Sequence, residues 1–204
     1  MPTDEPRPIH PTEPQPRILP RDMAEMRDEW LQILARIPGD GLKGKGFPRN
    51  VLGSIMHNPA TFGPFLDYWV TCKSKMGLTV REQELVILRM ARLYGSDYVW
   101  KHHVPVATEF GVSCEEVAAV SEGAHERFAS SREKALLLLT DELVEQRSVS
   151  PQTWAHHASP LPAGDVVDLI ALVSQYTFFA LMNNVLQVPV EDALADVPGL
   201  AELV

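Results

Sequence analysis

Residues 84–103 read ELVILRMARLYGSDYVWKHH. An apolar helical segment is followed by a Gly95-Ser96 break. A second helical segment then ends in two adjacent histidines, His102 and His103. At about 100° per residue, Glu84 falls between Ile87, Leu88 and Ala91, inside the apolar sector. A carboxylate there is costly unless it is paired, hydrogen-bonded or protonated. On the second segment, Ser96, Val99, His103, Val106, Ala107 and Phe110 share one sector, so His103 also lies on an apolar face. Tyr98 and His102 sit one turn apart on its flank, within reach of each other. Any fold of this chain must therefore give an inward acid and an inward base their partners.

The surrounding chain reads as a helical scaffold. Thr79 with Glu82, Ser113 with Glu116 and Ser130 with Glu133 form the spacing of capping boxes, and Asp22 with Glu25 repeats it. Asn58-Pro59 and Ser150-Pro151 are further helix starts. The spacing predicts helices over 22–37, 58–76, 79–94, 96–110, 113–122, 130–144, a short one after Ser150, and 162–184. The last is apolar on nearly every side and is expected to be buried all round, in part by a second subunit. Nothing reads as a strand, so the fold class is all-α.

Residues 1–20 hold Pro2, Pro6, Pro8, Pro11, Pro14, Pro16 and Pro20, which blocks helix and predicts an extended arm. That arm is either a disordered tail or a strap on a neighbouring subunit. Residues 21–195 form one helical domain and 196–204 a tail, with everything after 185 expected to be loose. Residues 39–57 carry Gly39, Gly41, Gly44 and Gly46 and are expected to form a surface loop over the site.

The net charge of −9 argues against nucleic acid, which needs a basic stripe. No apolar run is expected to reach the roughly 18 residues of a membrane span, and the Pro-rich start is no secretory signal. A soluble cytoplasmic protein is the expectation. Cys72 and Cys114 match no redox or metal spacing and are expected to be buried free thiols. Adjacent histidines on a helix point about 100° apart, so neither His102-His103 nor His156-His157 predicts a metal site. No metal and no cofactor are expected.

The run LTVREQELVILRMARLYGSDYVWKHHVPVATEFGVSCEEVAAV resembles the central segment of the carboxymuconolactone decarboxylase and alkylhydroperoxidase D-like superfamily. The stretch DLIALVSQYTFFALMNNVLQVPVE resembles its closing helix. The resemblance implies an all-α alkylhydroperoxidase D-like helical bundle with a helical-hairpin core, assembled as a homotrimer or homohexamer. Redox members of that superfamily carry a glutamate, then Cys-x-x-Cys, then three residues and a histidine. Glu84 and His103 match the outer pair. Ser96 and Val99 stand where the cysteines would be, so thiol–disulfide chemistry lacks its attacking and resolving sulfurs there. The decarboxylase members use no cofactor.

The combined reading is a cofactor-independent enzyme for a small carboxylated or enolisable substrate, acting by decarboxylation or by lyase- or isomerase-type proton transfer. His103 is the expected general acid/base and Glu84 its orienting partner. Tyr98 and His102 are expected to bind an oxyanion or carboxylate. Ser96 is a lesser donor, Trp100 a wall and Arg81 an anion attractor. Gln175 and Tyr176 are expected to line the pocket from the last helix. Two alternatives stay open: a non-catalytic ligand-binding or assembly protein on the same scaffold, and a residual peroxidase.

Overall fold

The computed structural model describes residues 15–25, 28, 31, 32, 35 and 47–203. Among the described residues there are eight α-helices and no strand. They are α1 (Arg49–Ile55), α2 (Pro59–Lys75), α3 (Val80–Tyr94), α4 (Asp97–Glu109), α5 (Cys114–Glu122), α6 (Ser131–Glu145), the single turn α7 (Pro151–Thr153) and α8 (Ala163–Leu186). A π-helical turn, Trp154–Ala158, continues α7.

The helix α3 is the central element, packed against α4, α5, α6 and α8. Its start is a reciprocal box: the Thr79 hydroxyl accepts from the Glu82 amide, and the Glu82 carboxylate accepts from the Thr79 amide. It ends at Gly95, whose φ of 59° is the left-handed cap that a side chain would strain. The amide of Ser96 then closes on the Ala91 carbonyl at 2.8 Å, and the chain folds back into α4. Leu85, Val86, Ile87, Leu88, Met90 and Ala91 are all within 1% of full burial. Each large apolar side chain there contributes about 1.5–3 kcal/mol by leaving water.

The polar edge of α3 is buried as well, in ion pairs to α6. Arg132 binds Glu82 at 2.6 Å and reaches Asp165 of α8 at 2.7 Å. Arg89 binds Asp141 at 2.5 Å, and His125 shares that carboxylate at 2.7 Å. These contacts fix α3 against α6 from the side opposite α4.

The sequence expectations fail in three places. Part of the expected loop at 39–57 is a helix: Val51, Leu52 and Ile55 of α1 join the core, while residues 39–46 lie outside the described set. Residues after 185 are not loose, because Val188, Leu194 and Leu200 are buried and the Leu200 amide bonds Asp97 at 2.8 Å. The Asp22–Glu25 box is not reciprocal: Asp22 caps the Ala24 amide, but Glu25 pairs with Arg21 instead. The remainder of the predicted 22–37 helix and residues 1–14 lie largely outside the described residues. Of the Pro-rich arm, residues 15–20 lie on their own chain, where the Arg17 amide bonds the Leu186 carbonyl at 2.9 Å.

Within its own chain α8 is buried on one face: Leu169, Leu172, Tyr176, Phe179 and Asn183 face the core, while Val167 (64% exposed), Leu181 (50%) and Val185 (56%) face outward, on the side where a second subunit was expected. By length and composition this helix is also apolar enough to cross a membrane. The polar residues Ser174, Gln175, Thr177 and Asn183 interrupt the run but do not lower its average enough to exclude that. Its inner face packs on α3, as expected for a core helix.

Candidate active site

Helices α2, α3, α4 and α8 enclose one side of a cavity of about 300 Å³, and α1 covers another. Its wall is mostly apolar, with Val51, Leu52, Val99, Val106, Phe110 and Phe179 contributing. Both residues singled out by the helical pattern reach it. Glu84 is fully buried, and its Oε2 lies 2.5 Å from Nδ1 of His103. The other carboxylate oxygen accepts a hydrogen bond from Lys73 Nζ at 2.9 Å. Nε2 of His103 faces the Tyr176 hydroxyl at 3.2 Å, with the two rings edge to face at 5.1 Å. The result is a continuous chain, Lys73–Glu84–His103–Tyr176, along the cavity wall.

The charges in this chain can be assigned. Burial alone would raise the Glu84 pKa, but the charges and hydrogen bonds of His103 and Lys73 hold it at about 2. Burial would lower Lys73, yet Tyr176 and Glu84 beside it keep it above the usual lysine range. Burial pushes the His103 imidazole below the ordinary histidine range, against the pull of Glu84. Tyr176 is pushed up to about 12, chiefly by burial, and stays a phenol. At neutral pH the carboxylate is therefore neutralised by Lys73 rather than by an imidazolium. His103 donates from Nδ1 to Glu84 and offers the Nε2 lone pair to the Tyr176 hydroxyl. That is the tautomer a general base requires.

A second cluster, around His102, is built differently. Nδ1 of His102 donates to the Tyr98 carbonyl at 2.7 Å, and Nε2 lies 2.7 Å from Glu191 Oε2. The rings of Tyr98 and His102 stack at 4.1 Å. The Tyr98 hydroxyl donates to Glu191 Oε1 at 2.9 Å and accepts from the Val51 amide at 3.2 Å. Glu191 Oε1 also accepts from the Asn50 amide at 2.9 Å. Helix α1 has no side-chain cap of its own, so Tyr98 and Glu191 supply it from a distance. Burial opposes the charge on Glu191, but His102, the Asn50 amide and Tyr98 hold its carboxyl below the usual range. Burial and the neighbouring Glu191 both raise the Tyr98 pKa, so it remains a phenol.

This arrangement corrects several expected site roles. Tyr98 and His102 line the cavity, but their polar atoms are spent inside the protein, so they are not placed to bind an oxyanion or carboxylate. Ser96 is fully buried, its hydroxyl has no protein partner, and it lies outside the cavity lining. Trp100 is a core residue, 1% exposed, and forms no wall. Arg81 is held by Glu116 at 2.5 Å, Glu133 at 2.8 Å and the Gly111 carbonyl, so it does not attract an anion to this site. Gln175 points about 100° away from Tyr176 around α8, and of the pair only Tyr176 reaches the cavity.

Lys73, Asn183 and Glu191 were not anticipated. The first two had a signal: Lys73 continues the stripe Phe62, Leu66, Trp69, and Asn183 continues Leu169, Leu172, Tyr176, Phe179. Glu191 had none. Cys72 is half-buried and Cys114 exposed, contrary to expectation, and both are free. Among the described residues no group of three or more His, Cys, Asp or Glu could hold a metal ion. His156 and His157 sit on the exposed π-turn with ring centroids 6.4 Å apart.

Residues 59–142, which include Lys73, Glu84 and His103, match the model of the Carboxymuconolactone decarboxylase family. Over that segment the chain is similar to the carboxymuconolactone decarboxylase family, in line with the resemblance read from the sequence. No curated protein matches this chain in sequence. Solved structures show the same fold. The alkylhydroperoxidase D core of an uncharacterised peroxidase-related protein from Ralstonia eutropha superposes with a TM-score of 0.73 at 20% identity, covering 89% of this chain and 95% of that one. The debrominase Bmp8 superposes with a TM-score of 0.71 at 17% identity, covering 92% and 97%. A cysteine-to-alanine variant of that debrominase, in complex with 2,3,4-tribromopyrrole, gives the same values. The alkylhydroperoxidase D-like helical bundle expected from sequence is the observed architecture.

Proposed function

We propose that this protein is a cofactor-independent acid–base enzyme that moves a proton to or from carbon on a small, largely apolar substrate. The observation that carries the reading is the Glu84–His103–Tyr176 chain opening onto the cavity. His103 is the general acid/base through Nε2. Glu84 fixes its tautomer and orientation, and Lys73 neutralises Glu84 so that the imidazole stays neutral and basic. Tyr176 either relays the proton or donates to a developing oxyanion. A thiol route has no support here, since Ser96 and Val99 occupy the positions where the superfamily's redox members carry cysteines.

The wall chemistry favours one branch of the expected substrates. Lys73 already compensates Glu84, and Arg81 points elsewhere, so an enolisable carbonyl suits the cavity better than a multiply charged acid. The compact ring bound by the debrominase is a molecule of the size that fits here. The exposed apolar stripe of α8 supports assembly into a trimer or hexamer, and a cytoplasmic location belongs to the same proposal.

The test is deuterium exchange at the α-carbon of small ketones such as acetophenone, followed by NMR in deuterated buffer. Exchange above the protein-free rate is expected, with His103→Gln and Glu84→Gln each slowing it about 100-fold or more. If both variants exchange as fast as the unmodified chain, the catalytic assignment is wrong and the scaffold serves binding alone.

A further inference from the structure

The cavity has two unlike ends. Val80 (37% exposed) and Phe110 (45%) lie at one, where α3 begins and α4 finishes. At the other, beside the α3–α4 break, Leu52, Val51, Val99 and Asn183 are between 0% and 3% exposed. This closed end is fixed by α8: Asn184 Nδ2 bonds the Tyr94 carbonyl at 2.8 Å, and the Val188 amide bonds the Asn183 carbonyl at 3.1 Å. Neither contact uses the Asn183 side chain. Its Oδ1 and Nδ2 are both buried with no hydrogen-bond partner in the protein. A buried amide left unmatched costs about 1–3 kcal/mol, so an apolar residue would serve packing better at this position.

Asn183 follows Tyr176 by seven residues, so it lies on the same helical face about 10 Å further along. Phe179 stands between them. A ligand with a carbon at His103 and an apolar body over Phe179 and Val99 would bring its far end to the Asn183 carboxamide. A carboxamide presents an acceptor and a donor side by side. Its complement is a group that also carries both.

We propose that Asn183 is the residue that reads the substrate, pairing with an adjacent donor and acceptor at its buried end, as in a carboxamide, a lactam or an undissociated carboxylic acid. The proposal rests on the proposed function only in taking this cavity as the substrate site. Selection by such a residue is strong in one direction, because a ligand lacking the group strands the buried amide.

Three probes of similar shape test it by isothermal titration: benzamide, with donor and acceptor, acetophenone, with the acceptor alone, and ethylbenzene, with neither. The unmodified protein should bind benzamide about tenfold more tightly than acetophenone, the ratio that one satisfied amide supplies. Asn183→Leu should abolish that preference and favour ethylbenzene, while its thermal midpoint stays level or rises. Asn183→Asp should weaken benzamide and lower the thermal midpoint, because a carboxylate at this buried position has no partner. His103→Gln should leave the benzamide preference intact, so failure of the catalytic reading and failure of this one are seen separately. The proposal is overturned if the unmodified protein shows no preference, if Asn183→Leu keeps it, or if the leucine variant's midpoint falls by several degrees, which would make Asn183 a structural residue.

Discussion

His102 and His103 are neighbours in sequence, and each meets a buried carboxylate, yet their surroundings assign them opposite tasks. Nδ1 of His103 is held by Glu84 while Nε2 is left towards the cavity and Tyr176. His102 is closed on both sides, by the Tyr98 carbonyl and by Glu191. Glu84 has a lysine to balance it, whereas Glu191 meets the His102 ring and the first amides of α1. The difference teaches that an imidazole–carboxylate contact is not by itself a catalytic signature. What matters is whether one ring nitrogen remains available to a ligand.

The contrast is broken most directly by matched variants. His103→Gln should cost at least about 100-fold in turnover, while His102→Gln should cost less than about tenfold and act through stability. Steady-state rates and urea midpoints on the same preparations read both. Similar turnover losses for the two would erase the distinction.

Charge balance gives the next effect. Lys73→Met leaves Glu84 buried without its cation, and breaking such a pair costs about 3 kcal/mol or more. Chemical denaturation should show that loss, and the acid limb of the rate profile should move up as Glu84 draws His103 towards the imidazolium. An unmoved profile would mean that Lys73 plays no part in tuning the base. Glu191→Gln should cost less, about 1–2 kcal/mol, since a neutral amide can still accept from the α1 amides. Hydrogen exchange should then accelerate in residues 49–55 ahead of the rest of the chain.

Acid sharpens the comparison further. The His103 pKa is lowered from 6.5 in the folded protein. Below that value the unfolded chain binds a proton that the folded one refuses, and stability falls with pH. Glu84 is lowered from 4.5 to about 2, so its contribution is complete above the unfolded value and is lost as pH falls from there towards 2. Both groups therefore destabilise in the same direction, in successive windows. His103→Gln should remove the upper window, which a pH series of thermal midpoints would display. The smallest effect belongs to the cysteines: replacing both Cys72 and Cys114 with serine should leave turnover within about twofold, because neither belongs to the chain of proton-carrying groups. A tenfold loss would reopen a thiol route.

The sequence showed most of the bundle and half of the site. Helix starts with reciprocal caps, as at Thr79 and Ser113, are local chemistry and are legible within four residues. Glu84 and His103 were legible because a polar residue in an apolar sector demands an explanation. Lys73 was equally legible by the same test but was passed over, since a lysine near a helix C-terminus has an ordinary role there. Tyr98 and His102 were recognised as a touching pair, yet their role was misjudged. The residue that occupies them, Glu191, lies 93 positions beyond Tyr98 in a stretch without helical period. Arg81 failed for the same reason, because its partners Glu116 and Glu133 come from other helices. Local pattern identifies which groups need partners; only the packed chain shows who supplies them.

The position of Glu191 has a consequence for how the protein is made. Lys73, Glu84 and His103 emerge before Tyr176, which arrives 73 residues after His103. At ribosomal rates of about 5–20 residues per second, that gap lasts several seconds. Throughout it His103 has no phenol facing it, and α1 lacks the Glu191 part of its cap. The site is thus unfinished until α8 and the segment carrying Glu191 have emerged.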